Sequence, residues 1–163
     1  MRKSETEQAI NARFPEGVAM IVSQDENGKV NLAPAGWFMI CNSHPICWAV
    51  SISRKHYSYE VINKTGEFVL CLPSFEQKDD VLYCGSVHGD QVEKLAKTKL
   101  KTQPATSVKP PLIKGSRACF ECRVINALDL PDHTVFVGEI LAAYVDDQKQ
   151  KLYNRGGCDL FAW

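Results

Sequence analysis

Between Gly17 and Ile52 the chain presents four short apolar runs, at residues 17–23, 29–32, 37–41 and 46–52, with no segment of helical length between them. Each run has strand length. Asn27-Gly28 separates the first two. That dipeptide is the strongest short hairpin signal, because the favoured two-residue turn needs positive φ at both central positions. Asn42-Ser-His-Pro45 separates the last two. Strands joined by tight turns pair antiparallel, since a parallel crossover takes a dozen or more residues. This stretch therefore predicts an antiparallel sheet, not a doubly wound one.

The rest of the chain is consistent with that class. Over residues 54–64 the period becomes helical, through Tyr57, Val61 and Ile62, and Gly66 supplies a stop. Residues 67–72 return to strand. Residues 75–84 and 89–98 predict short helices, and Ser4 with Glu7 fits a capping box opening a helix that runs to about Arg13. Ala33-Pro-Ala-Gly36 breaks the strand before it. Residues 101–114 hold three prolines and read as a loop, and residues 117–126 and 134–145 as two long strands. The tail from Leu152 to Trp163 carries Gly156-Gly157 and an aromatic finish. Seven or eight strands with a few short helices predict a mainly β fold, a closed antiparallel β-barrel. At 18.2 kDa the chain buries about 69% of its extended surface, which suits one core and one domain over residues 1–163.

Charge and cysteine content narrow the function classes. Lys and Arg number 19, as do Asp and Glu, so there is no basic excess for nucleic acid. No apolar run approaches the ~20 residues of a membrane helix. The N-terminus lacks the apolar stretch of a signal peptide, so the expected location is the cytoplasm. Seven cysteines, an odd number, then read as reduced thiols. Cys119 and Cys122 have Cys-x-x-Cys spacing, but they lie in a strand-like run, where residues three apart point to opposite faces. No second pair supplies zinc ligands. The two read as plain strand residues.

Familiar catalytic signatures are missing. There is no Gly-x-Gly-x-x-Gly, no Walker lysine loop and no Gly-x-Ser-x-Gly elbow. The histidines at 44, 56, 88 and 133 lack metal-ligand spacing, so no metal is expected. Four polar clusters remain. Asn31-Leu-Ala-Pro-Ala-Gly-Trp37 can present backbone N–H groups to a planar heterocycle; spacing alone favours a tight crossover with Trp37 in the core. Ser51-Ile-Ser-Arg-Lys-His-Tyr-Ser58 sets hydroxyls and Arg54 before a helix start, which suits a phosphate or equally a solvated N-cap. Lys94 sits in a basic stretch that reads on its own as a solvated face. His133 opens a strand and reads on its own as structural.

Together and in this order, the clusters resemble the flavin reductase-like family. The carrying segments are Gly17-Val-Ala-Met-Ile-Val-Ser, Asn31-Leu-Ala-Pro-Ala-Gly-Trp-Phe, Ser51-Ile-Ser-Arg-Lys-His-Tyr-Ser, Thr65-Gly-Glu-Phe-Val-Leu-Cys-Leu-Pro-Ser74, Leu112-Ile113 through Glu121-Cys122, and Asp132-His-Thr-Val-Phe-Val-Gly-Glu139. They span roughly residues 14–145. Within the family the chain is most similar to the flavoredoxins. The resemblance implies an FMN-binding split barrel, one FMN per subunit and a homodimer. It places Asn31, Leu32, Ala33, Pro34 and Trp37 along the isoalloxazine. It places Ser51, Ile52, Ser53, Arg54 and Ser58 around the ribityl phosphate, with Ser58 standing where Thr is expected. Lys94 and His133 would reach the flavin or its phosphate, and Phe161 would cover the ring.

Three functions follow as alternatives. The first is an oxidoreductase in which NAD(P)H reduces bound FMN, which passes electrons to free flavin, ferric iron or another acceptor. The second is an electron carrier working between redox proteins without a nicotinamide site. The third is a non-redox ligand-binding barrel. In the first two the flavin carries the electron chemistry, so no catalytic acid, base or nucleophile is expected from the protein.

Overall fold

The computed structural model describes residues 1–162; Trp163, the last of the aromatic finish, lies outside them. In chain order the elements are α1 (Thr6–Asn11), β1 (Glu16–Gly17), β2 (Ala19–Gln24), β3 (Val30–Ala35), β4 (Phe38–Ser43), β5 (Ile46–Ser53), α2 (Tyr57–Thr65), β6 (Glu67–Leu72), α3 (Lys78–Ser86), β7 (Thr102–Gln103), β8 (Leu112–Ile113), β9 (Ala118–Asp129), β10 (His133–Val145), β11 (Leu152–Asn154) and β12 (Leu160–Ala162). Short 3-10 turns occur at Phe75–Gln77 and Leu95–Lys97. The fold is mainly β, as the turn pattern predicts. No helix among the described residues is long and apolar enough to cross a membrane.

Seven strands pair in the order β3-β2-β6-β9-β10-β5-β4, every neighbour antiparallel. The order is open, so the expected barrel is not closed by strand pairing: β3 and β4 are the edges and no ladder joins them. Pro34 within β3 has no N–H to give and is tolerated on such an edge. For the same reason β3 runs on to Ala35 instead of breaking at Ala33. The two edges are nevertheless consecutive in the chain, with only Gly36 and Trp37 between them. The sheet must therefore curl until its edges meet at one corner, and Trp37 stands on that corner.

The central strands β2 and β6 are buried on both faces and feed two cores. Met20, Val22, Val69 and Cys71 face one core, against Val81 and Cys84 of α3 and Leu152 and Leu160 of the tail. Ile21, Phe68 and Leu70 face the other, against Trp48, Val50, Ile62 and Phe136. Cys119 belongs to the first and Cys122 to the second, so the two sulfurs diverge as strand geometry requires.

Local expectations hold where the turn chemistry is strong. Gly28 takes φ 86° in the hairpin, and Gly66 takes φ 70° and ends α2 in a left-handed cap. They fail where burial decides. The capping box does not form at α1: Glu5 is the N-cap without a side-chain cap bond, and the helix buries no residue. Over residues 89–98 only a 3-10 turn appears, because Lys94 is drawn inward to the sheet. Within the proline-rich segment β7 and β8 form a small two-stranded flap.

Candidate functional site

The end of β3, the end of β5, the start of α2 and the start of β10 converge beside the corner at Trp37. Two cavities open there. The first, about 220 Å³, is lined by Glu16, Ile21, Ala33, Pro34, Ala35, Gly36, Trp37, Ser51, Ile52, Ser53, His56 and His133. The second, about 190 Å³, is lined by Asn31, Ala33, Pro34, His56, Tyr57, Ser58, Cys84, Gly85, Ser86, His88, Gly89 and Lys94, among others. They share Ala33, Pro34 and His56 as walls.

The first cavity has the character of a slot for a flat ring. Trp37 is 53% exposed, so it is not the core residue that spacing alone favours. Its carbonyl accepts the Ser51 N–H at 2.9 Å, and its ring lies 5.0 Å from the His133 ring. His133 pairs with Ser53 across β10 and β5, and its Nδ1 lies 3.0 Å from Asp132 Oδ1. The hydrogen bond from His133 holds the Asp132 carboxyl below its usual value.

The second cavity carries basic groups and no carboxylate on its walls. Lys94 is 4% exposed, which overturns its reading as a solvated face. Its Nζ donates to the Leu32 carbonyl at 2.8 Å and the Cys84 carbonyl at 2.6 Å. An ammonium has three donors, so one remains for whatever enters the cavity. Burial pushes the Lys94 ammonium below its ordinary value and the Cys84 thiol up to about 11. His56 is the N-cap of α2 and makes no side-chain cap bond. Burial lowers its pKa first, and the charges of His88, His133 and Lys94 lower it further. Buried Asn31 donates through Nδ2 to buried Ser58 Oγ at 2.9 Å, which leaves the Ser58 hydroxyl hydrogen free to reach an anion. Asn31 Oδ1 is buried without a partner. A side chain at Gly89 would collide with that oxygen, so the loop closes over Asn31 only with glycine there. Cationic donors, a hydroxyl and a helix N-terminus around one small cavity suit a phosphate.

The structure thus brings together Asn31, Ala33, Pro34, Trp37, Ser51, Ile52, Ser53, Ser58, Lys94 and His133. Leu32 contributes its carbonyl to Lys94, while its side chain lies in the core. Arg54 lines neither cavity. Its Nε donates to Thr134 Oγ1 at 3.4 Å and its guanidinium lies 3.3 Å from Asp129. Phe161 lies in the tail, stacked 5.8 Å from Tyr153 and under Arg155, at an outer cleft with Phe14 and Pro15. Sequence reasoning does not select His56, Tyr57 or His88. His56 stands inside the quoted serine motif and was legible there; His88 sits in a loop without a signature.

Comparisons with known proteins converge on one family. A model of the flavin reductase-like domain matches residues 11–160. An uncharacterised protein of Archaeoglobus fulgidus is 34% identical over 139 residues, 85% of this chain and 77% of that protein. The crystal structure of flavoredoxin from Methanosarcina acetivorans superposes with a TM-score of 0.82 at 28% identity, covering 93% of this chain and 85% of that one. The flavoredoxin of Desulfovibrio vulgaris (Miyazaki F) superposes with a TM-score of 0.85 at 25% identity, covering 100% and 93%.

Proposed function

This chain belongs to the flavin reductase-like domain family, and on that premise we propose that it binds one FMN per subunit and acts as a flavin-dependent oxidoreductase of the cytoplasm. The single observation that carries the reading is the pair of adjoining cavities. One is a slot beside an exposed Trp37; the other is a cationic pocket with an uncommitted lysine donor and no carboxylate on its walls. A flavin mononucleotide has a flat ring at one end and a phosphate at the other. The ring would lie against Ala33, Pro34, Trp37, Ser51 and His133. The phosphate would be held by Ser58, Lys94, His56 and His88, with Ser53 at the junction. Arg54 joins only by leaving Asp129.

When bound, FMN supplies reversible electron transfer. The chain's own residues bind, orient and shield it. Backbone N–H groups of Ala33, Ala35, Gly36 and Trp37 would face the ring and would favour negative charge on it. Pro34 and Trp37 keep water from one side of the slot.

We further propose that the molecule is a homodimer whose subunits meet beside the slot. Strand register puts Leu128, Val135 and Ser51 in one row, and Asn126, Val137, Ala49 and Met39 in the next, on the sheet face away from Val50 and Phe136. Leu128 is 60% and Met39 62% exposed on that face. An exposed apolar face of this kind marks an interaction surface.

The donor decides between enzyme and carrier. Similarity to two flavoredoxins favours a carrier as the second reading. Anaerobic NADH and NADPH are added to the yellow protein and the flavin absorbance is followed. Bleaching by either nucleotide supports the oxidoreductase. Bleaching by reduced ferredoxin but by neither nucleotide assigns the carrier, with dithionite as the control that the flavin is reducible.

A further inference from the structure

Outside the cavities, a second pair of reactive groups meets inside the sheet. Cys71 of β6 and Cys119 of β9 face each other directly across the ladder. Their sulfurs lie 2.8 Å apart and share a hydrogen bond. Both residues are buried, and both are free thiols. Opposite residues of an antiparallel pair hold their Cα atoms roughly 4.5–5.5 Å apart, inside the range a disulfide spans. Closing the bond to ~2.05 Å needs the sulfurs to move by less than ~1 Å. No other pair of cysteines among the described residues shares a sulfur–sulfur hydrogen bond.

We propose that Cys71 and Cys119 are a redox pair that hydrogen peroxide converts into a disulfide joining β6 to β9. The Cys119 thiolate attacks one peroxide oxygen, forming a sulfenic acid and releasing hydroxide or water. The Cys71 sulfur then attacks the sulfenic sulfur, and its hydroxyl leaves as water. The two thiols lose two electrons and two protons; hydrogen peroxide gains both and becomes two waters. Cys119 is suited to the first step because its hydrogen bond with Cys71 holds it below the ordinary thiol value, whereas burial pushes Cys71 up.

Access is set by the flap of β7 and β8. The Ile113 carbonyl lies 3.6 Å from Cys119 Sγ. The segment leading to it is fastened by buried Glu121, which accepts from the Thr106 and Ser107 N–H groups. Oxidation therefore requires the flap to lift, and Glu121 sets how often it does.

The test is hydrogen peroxide treatment of the full-length protein, followed by denaturation, alkylation and mass spectrometry. It uses a Cys41→Ser/Cys158→Ser background, which removes the exposed thiols. The expected result is two fewer alkylated thiols than in the untreated chain, a cross-linked peptide containing Cys71 and Cys119, and full recovery with dithiothreitol. Cys119→Ser, or separately Cys71→Ala, abolishes the link. Glu121→Gln speeds its formation several-fold. Complete alkylation after treatment, or a link mapped to Cys47, Cys84 or Cys122, overturns the proposal.

Discussion

Among the described residues two charged side chains are buried, Glu121 and Lys94, and their surroundings differ in kind. Glu121 receives hydrogen bonds from the Thr106 and Ser107 backbones, the Thr106 hydroxyl and the Tyr144 hydroxyl. Burial alone would push its carboxyl up; these donors outweigh it and hold the pKa below the ordinary value. Lys94 has two carbonyls, no carboxylate partner and a cavity in front of it. A saturated buried charge is a fastener: it ties a proline-rich loop to the sheet. An unsaturated one that faces a pocket suits a ligand contact, because an incoming anion would complete its shell.

Truncation separates the two residues most widely. Glu121→Ala leaves several buried donors unpaired, with an expected stability loss of about 3–5 kcal/mol by chemical denaturation and an FMN dissociation constant within twofold of the parent. Its folded pKa is depressed, so the stability it contributes is present above the unfolded value of 4.5 and is lost as pH falls through the folded value. Glu121→Gln should flatten that acid limb. Lys94→Met gives the opposite pattern. FMN affinity drops by roughly 1.5–3 kcal/mol, the worth of a charged hydrogen bond, while stability moves by no more than about 1–2 kcal/mol. A folded Lys94→Met variant that loses about 3–5 kcal/mol of stability but binds FMN with the parent's affinity would make Lys94 a fastener too.

Smaller effects sharpen the cationic side of the contrast. His56 is held below the ordinary imidazole value by burial and then by neighbouring positive charges. A phosphate dianion reverses that field and raises the pKa, so FMN binding near pH 7 takes up protons. The uptake is read from calorimetric enthalpies in buffers of different ionisation heat, and it should shrink in His88→Asn. Arg54→Ala is expected to change FMN affinity by under about 1 kcal/mol, because the guanidinium is already engaged by Asp129 at a half-exposed site. A larger loss would show that Arg54 swings in.

Much of this was legible in the sequence, for local reasons. Asn27-Gly28 and Gly66 dictate a hairpin and a helix stop from backbone sterics alone, and the structure has both. Cys119 and Cys122 diverge because a strand has period two. What was not legible depends on long-range placement. Lys94 looks solvated in a basic stretch, yet it lies 62 residues from its acceptor at Leu32. Trp37 looks like core by its size, yet it stands where the curled sheet's edges meet. His88 becomes part of a pocket only because Gly89 lets the loop close on Asn31. The open pairing order, too, depends on which distant strands meet, which no local pattern identifies.

On the proposed function, the cationic cavity around Lys94 holds the phosphate of FMN. The most direct measurement is a parallel calorimetric titration of flavin-free protein with FMN and with riboflavin, which lacks only that phosphate. One FMN should bind per chain, and riboflavin should bind at least roughly tenfold more weakly. Equal affinity for the two flavins, or no heat from either, would contradict it.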